Sequence, residues 1–245
     1  MIVGYFHGGS GLGNQLFRYV ATRVLALDKG YHFGMMGEFK GDSFMEIDKG
    51  NVYPMPNHYF DEKKVVENGV DIRGYDPEIN FIKDNTIIDG EFQDERYWRH
   101  KEKEVKEWLK VEPIDIQDNV CVIGFRGGEY IGVPDLFLGI DYWREAIDIM
   151  KVKGINKFEV HTDDLESAKR FSDLLLPEGT KIIHDIGINW RSMRYAKYAI
   201  VANSSFYILP RWLRNGYTIA PRFWARRNIG VWALPQNYYS RFKYI

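Results

Sequence analysis

From residue 120 onward, short apolar runs rich in β-branched residues alternate with longer stretches whose apolar positions recur at helical spacing. Residues 120–125, 158–161, 181–184, 198–202 and 217–220 read as strands. Helical patterns from about 141 to 154, from 164 to 175, near 190–197 and near 205–214 separate them, with Asp164 as a candidate N-cap. A strand rejoins its sheet in the same direction only through a crossover of this length, so the pattern predicts a parallel, doubly wound α/β sheet. In such a sheet ligands bind outside the carboxyl ends of the strands.

The polar clusters of this half fall at those ends. Arg126 and Glu129 follow the first strand, Asp163 the second, and Asn203-Ser204-Ser205 the fourth. The planar fork of Arg126 matches a phosphate bidentately, and Gly127-Gly128 lets a polyanion approach the backbone. The same stretch also fits a surface arginine in an ordinary βα loop. Ser204 and Ser205 suit a phosphate at a helix N-terminus, or simply a helix cap. Asp163 either flanks its helix or accepts hydrogen bonds from a base or ribose. Convergence of all three clusters on one sheet edge favours the ligand-binding reading.

The first half begins in the same way. An apolar run at 2–6 leads through the glycine loop at 7–15 to a helix with Leu16, Phe17, Val20, Ala21, Val24 and Leu27 on one face. Asn14 stands where a dinucleotide fingerprint has its third glycine, and no Gly-Lys-Ser/Thr follows as in a Walker loop. What remains is the backbone of Gly11 and Gly13 at a helix N-terminus, with the amides of Asn14 and Gln15, suited to an anion or to hydroxyls. A second strand is expected at 31–35, loops and short helices over 36–80, a strand end at 87–93 and a charged helix over 94–110. Residues 112–118 read as a link. The expected division is therefore 1–115, 116–220, and a basic, aromatic segment 221–245 packing back on the body.

Several classes of chemistry are disfavoured. Cys121 is the only cysteine of 245 residues, which removes disulfides and cysteine metal clusters. No histidine pair has ligand spacing and no Asp-x-Asp occurs, so no metal is expected; His100, His161 and His184 read as local hydrogen-bonders. No signal peptide or membrane-spanning run appears, which predicts a cytoplasmic protein. Residues 205–245 carry seven Arg/Lys and no acid, although the whole chain has a net charge of −1. Such an end suits an anionic ligand, nucleic acid, a membrane surface or an acidic neighbouring domain. Covering an acidic neighbouring domain is the preferred reading, a peripheral membrane contact is the alternative kept open, and nucleic acid is not an expected partner.

Taken in order, the motifs resemble those of the α-1,2-fucosyltransferase family. Gly9-Ser-Gly-Leu-Gly-Asn-Gln-Leu-Phe-Arg-Tyr-Val-Ala21 is similar to its N-terminal signature, and Gly90-Glu-Phe-Gln-Asp-Glu-Arg-Tyr-Trp98 to its next conserved segment. Gly124-Phe-Arg-Gly-Gly-Glu-Tyr130 stands where the family has H-x-R-R-G-D-Y. His161-Thr-Asp-Asp-Leu-Glu166, Ile200-Val-Ala-Asn-Ser-Ser-Phe206 and Ile219-Ala-Pro221 resemble its later motifs. The resemblance implies a GT-B-like fold, two Rossmann-like halves facing a central cleft, with an acceptor-side first half. It also implies metal-independent, inverting transfer from GDP-fucose to a galactose-ended glycan in α-1,2 linkage. On that reading Arg126 neutralises the donor diphosphate, Asp163, Asn203, Ser204 and Ser205 line the donor site, and the loop of Gly11, Gly13 and Asn14 faces the same pyrophosphate.

This chain departs from the family pattern at three places in the central motif: histidine becomes Gly124, the second arginine Gly127 and the aspartate Glu129. In related fucosyltransferases that histidine helps hold the guanine. Its loss leaves open another nucleotide sugar, or a catalytically silent sugar- or nucleotide-binding protein. For the general base that inverting transfer requires, the nearest acids in the loop are Glu129 and Asp135, with Asp135 preferred.

Overall fold

The structure, a computed structural model, describes residues 1–67, 70–133, 136–222, 225–227, 230–232 and 239–245. These fall into two compact units, one of residues 1–111 with Tyr239 and one running from residue 112 through 232 with 240–245.

The first unit contains β1 (Ile2–Phe6), α1 (Leu12–Lys29), β2 (Phe33–Gly37), β3 (His58–Asp61), β4 (Lys64–Glu67), β5 (Val70–Arg73), β6 (Thr86–Asp89) and α2 (Glu102–Trp108). Its sheet has the order β2-β1-β6-β3, and every pairing is parallel. β1 lies against α1 so closely that a Cβ on Gly4 would collide with Thr22 Oγ1. The helix buries Leu16, Phe17, Tyr19, Val20 and Val24 completely, whereas Leu27, expected on the same face, is exposed. Gly30 then ends the helix in the left-handed region at φ 67°, and Tyr31 N–H closes the last turn on Ala26 O at 2.8 Å. That closure delays β2 by two residues relative to its predicted start.

Two expectations for this unit need correction. Residues 36–80 were expected to hold only loops and short helices, yet β3 extends the sheet and β4 and β5 form an antiparallel pair. β3 is largely exposed and shows no apolar alternation, so periodicity could not reveal it. The continuous helix expected over 94–110 is broken into two 3₁₀ turns before α2. Trp98 is the cause: it is fully buried, leaves helical geometry (φ −142°, ψ −10°), and donates Nε1–H to Phe92 O at 3.2 Å.

The second unit runs β7 (Val120–Phe125), α3 (Ile140–Val152), β8 (Lys157–Thr162), α4 (Leu165–Leu175), β9 (Lys181–Ile183), α5 (Ile186–Tyr195), β10 (Tyr198–Val201), α6 (Ser205–Arg214), β11 (Tyr217–Ala220), β12 (Ala225–Arg227), β13 (Gly230–Trp232) and β14 (Lys243–Tyr244). β12 and β13 pair with each other alone; the other six strands form one parallel sheet, β14-β11-β10-β7-β8-β9. Counting sheet strands from β7, this is the Rossmann order 3-2-1-4-5-6. All six residues of β7 are buried. Phe125 packs on Trp143 of α3 and Phe171 of α4, with ring centroids 5.5 and 4.8 Å away.

Several cations of the basic end are built into this unit. Arg211 is completely buried, has no carboxylate beside it among the described residues, and donates to Thr218 Oγ1 and to the carbonyls of Met193 and Ala196 at the end of α5. Arg241 lies 4.0 Å over the Trp212 ring and donates to Trp212 O, and Arg214 donates to Tyr195 O. At least three of the seven cations thus serve packing. Among the described residues no helix is long and apolar enough to cross a membrane.

Candidate active site

In a 3-2-1-4-5-6 sheet the strand order reverses between the first and fourth strands, and the crevice at their carboxyl ends is where ligands bind. Here those strands are β7 and β10. Arg126 follows β7, Asp163 follows its other neighbour β8, and Asn203 follows β10.

Arg126 and Asp163 meet directly. Arg126 Nη1 lies 2.8 Å from Asp163 Oδ2, and Asp163 Oδ1 accepts the Gly127 N–H at 2.9 Å. On its other edge Arg126 Nη2 donates to Glu129 Oε1 at 2.5 Å. The guanidinium also lies over the Tyr130 ring, while its buried Nε has no hydrogen-bond partner. Burial disfavours the arginine's charge, but Asp163 and Glu129 outweigh it and hold the pKa above its ordinary value. Burial likewise pushes the Glu129 carboxyl up, and the hydrogen bond and charge of Arg126 bring it below its usual range. Both groups are charged at neutral pH.

The two glycines make this geometry. A Cβ on Gly128, which sits at φ 42°, would lie 2.4 Å from Asp163 Oδ2; one on Gly127 would lie 2.9 Å from Asp164 Cβ. A second arginine, as in the family motif, has no room at 127 unless Asp164 moves. Asp164 itself caps α4 as predicted, accepting the Glu166 N–H at 3.1 Å.

Asn203 is buried, donates Nδ2–H to Leu136 O at 3.0 Å, and receives the Tyr130 hydroxyl on its carbonyl. Ser204 precedes α6, but its side chain does not cap the helix, so the capping alternative is not realised. The first-turn N–H groups of α6, beginning at Ser205, therefore remain without that acceptor, as an anion site requires. Asp135 lies outside the described residues.

In the first unit, Gly11 is the N-cap of α1 without a side-chain hydrogen bond, and Gly13 is buried in its first turn. Asn14 Oδ1 accepts from Gln93 Nε2 at 3.1 Å. Gln15 is wholly buried: its amide donates to Glu38 O and accepts Lys40 N–H, so its side chain holds the loop together.

Two groupings escaped the sequence reading. Tyr207 of α6 packs over Gly124 and shares its hydroxyl between Phe125 O and His161 O, each at 3.0 Å. His7 Nε2 pairs with Asp89 Oδ1 at 3.0 Å, and the Tyr59 hydroxyl donates to Asp89 Oδ2 at 3.1 Å. The signal for the second was present, since His7 ends the first apolar run and Asp89 the run at 87–88. Among the described residues no group of three or more His, Cys, Asp or Glu is arranged to hold a metal ion.

No protein-family model matches the chain. It is 27% identical over 263 residues to an alpha-1,2-colitosyltransferase of Escherichia coli, spanning 89% of this chain and 90% of that one. Among solved structures it is similar to POFUT1 in complex with GDP-fucose (TM-score 0.51, 9% identity, 88% of this chain and 94% of the other). It is also similar to the E. coli heptosyltransferase WaaC with ADP (TM-score 0.50, 10% identity, 100% and 92%). At such identities the structural likeness concerns the fold, which is that of GT-B glycosyltransferases. The sequence relative and both structures are glycosyltransferases, the enzyme class read from the motifs.

Proposed function

We propose that this chain is an inverting, metal-independent transferase that moves fucose from GDP-fucose to a galactose-ended glycan in α-1,2 linkage. The observation that carries the reading is Arg126 at the β7/β10 switch point, its two terminal nitrogens engaged by the carboxylates of Asp163 and Glu129. Two carboxylates on one guanidinium mark the positions that phosphate oxygens of a donor diphosphate take.

Asp163 is held by both Arg126 and Gly127 and stays in place to orient the arginine. Glu129 is exposed and pairs with Arg126, and the donor displaces it. The leaving diphosphate is then stabilised by Arg126 and by the N–H groups that open α6, and these charges act most strongly in the transition state, when the glycosidic oxygen of the donor departs. Asn203, Ser204 and Ser205 form the remaining wall of that site.

A second reading, transfer of a colitosyl group, is favoured by the name of the sequence relative. It is also favoured by the Gly124–Tyr207 contact, which gives the donor pocket a wall unlike that of the family motif. Calorimetry and turnover with a panel of nucleotide sugars decide. Binding and transfer of GDP-fucose support the first reading, and a preference for activated colitose supports the second. Binding without transfer to any acceptor on a glycan array identifies a silent binding protein and overturns both.

A further inference from the structure

Charge is segregated along the chain. Residues 186–245 contain ten Arg/Lys and no Asp or Glu, so the preceding 185 residues carry 23 Arg/Lys against 34 acids. Part of that excess serves packing, as Arg211 and Arg241 do. Several of the other cations gather at one edge of the second unit.

In the parallel sheet β14-β11-β10-β7-β8-β9 the carboxyl ends carry Arg126, Asp163 and Asn203, and the amino ends form the opposite edge. Tyr198 opens β10 and Tyr217 opens β11; the two are paired across the strands, with ring centroids 6.2 Å apart. Lys197 Nζ lies 5.7 Å from the centre of the Tyr198 ring, and Lys153 Nζ 4.2 Å from that of Tyr217. Arg194 and Arg214 come to the same edge from the last turns of α5 and α6. Arg214 donates to Tyr195 O, and Arg194 lies over the Tyr195 ring at 5.5 Å. Among the described residues Asp118 pairs with Lys197 at 3.5 Å and Asp148 with Lys151 at 3.8 Å, while Lys153, Arg194 and Arg214 have no carboxylate partner. Five cations thus meet two acids here. Asp115 and Glu178 belong to the β8–β9 side of the edge, where they share a hollow with Lys157 and Lys181.

Between Lys151 and Lys153 stands Val152, an apolar side chain left 89% exposed. It borders a hollow with Lys153 and Tyr217, whose other wall, nearer the start of α3, carries Asp141 and Glu145 with Arg144. Cations without carboxylates call for an anion. A valine in water among lysines, and tyrosines with an apolar body and a polar tip, match the boundary between water and hydrocarbon, where Tyr, Lys and Arg collect. One face of each tyrosine ring is taken by a cation, so the rings are not open platforms on which the bases of a single strand stack.

We infer that this amino-end edge of the second unit is a docking surface for an anionic lipid bilayer. Lipid phosphates pair with Lys153, Arg194, Lys197 and Arg214, and Val152 enters the headgroup region. Three of these four cations precede residue 205, so the surface is not the basic end of the chain as such. It lies on the edge opposite Arg126, and docking does not occupy the donor crevice.

The test is co-sedimentation of the whole chain with vesicles of phosphatidylcholine alone and of phosphatidylcholine mixed with phosphatidylglycerol, at low and at high salt. Wild type should bind the mixed vesicles only, and should release them at molar salt, where the screening length falls to about 3 Å. A basic residue at an anionic surface is worth about fivefold in affinity, so Lys153→Gln/Lys197→Gln should bind about 25-fold more weakly. Lys153→Arg/Lys197→Arg keeps the charge and should bind as wild type does. Lys169→Gln/Arg170→Gln, on the exposed face of α4, removes the same charge elsewhere and should also bind as wild type does. Absence of binding to the mixed vesicles, equal binding to neutral ones, or an equal loss in the α4 variant overturns the inference. Capture of wild type by single-stranded DNA or polyglutamate in place of vesicles overturns it as well.

Discussion

The ring of Tyr207 occupies the volume into which any side chain at Gly124 would project. A Cβ on Gly124 would lie 2.7 Å from Tyr207 Cγ and 2.8 Å from Cδ1, and the tyrosine hydroxyl reaches the carbonyls of Phe125 and His161. Those carbonyls belong to the strand ends that carry Arg126 and Asp163. The position of a motif histidine has thus been exchanged for a tyrosine from α6 that ties β7 to β8.

Restoring the histidine alone should therefore fail. Gly124→His forces a ring into occupied space and should cost at least about 1–3 kcal/mol, the usual range for overpacking. The double variant Gly124→His/Tyr207→Ala should recover part of that loss. Urea unfolding midpoints measure both, and a single variant as stable as wild type would show that Tyr207 does not fill the site.

Much of the second unit was legible in advance because its central strands β7 and β10 are buried on both faces and punctuated by polar residues where they end. Arg126, Asp163 and Asn203 could be placed on one edge from that alternation alone. The glycine exchange at 124 was visible as a departure from a motif, but its meaning was not, because the compensating Tyr207 lies 83 residues later and periodicity does not report which helix covers which strand. For the His7–Asp89 pair the positions at the strand ends were legible, but the pairing was not. Its partners are 82 residues apart, and β3, which supplies Tyr59, carries no apolar pattern.

Glu129 gives a prediction about donor affinity and pH. Its folded pKa lies below the ordinary value, so its pair with Arg126 is complete above about pH 4.3 and is lost only as the pH falls through the lower folded value. At 71% exposure the pair contributes about 0–1 kcal/mol of stability. Glu129→Gln should leave the melting temperature nearly unchanged near neutrality and tighten binding of a nucleoside diphosphate, since no carboxylate competes for Arg126 Nη2. Calorimetry that finds weaker binding in the variant would assign Glu129 a holding role instead.

Arg211 is predicted to matter for stability alone. Arg211→Met would leave the Met193 and Ala196 carbonyls without their donor, at about 1–3 kcal/mol for each unsatisfied group. Denaturant unfolding should show a loss of several kcal/mol. A loss below about 1 kcal/mol would mean that the end of α5 finds other donors.

The most direct test of the account is the affinity of GDP and of GDP-fucose for wild type and for folded Arg126→Ala, read by calorimetry alongside turnover. Removing the cation proposed to meet the diphosphate should weaken binding and lower turnover by about 10²–10³-fold, the loss seen when a single stabilising donor is deleted from an active site. Wild-type affinity and turnover in Arg126→Ala would contradict the assignment of the β7/β10 switch point as the donor site.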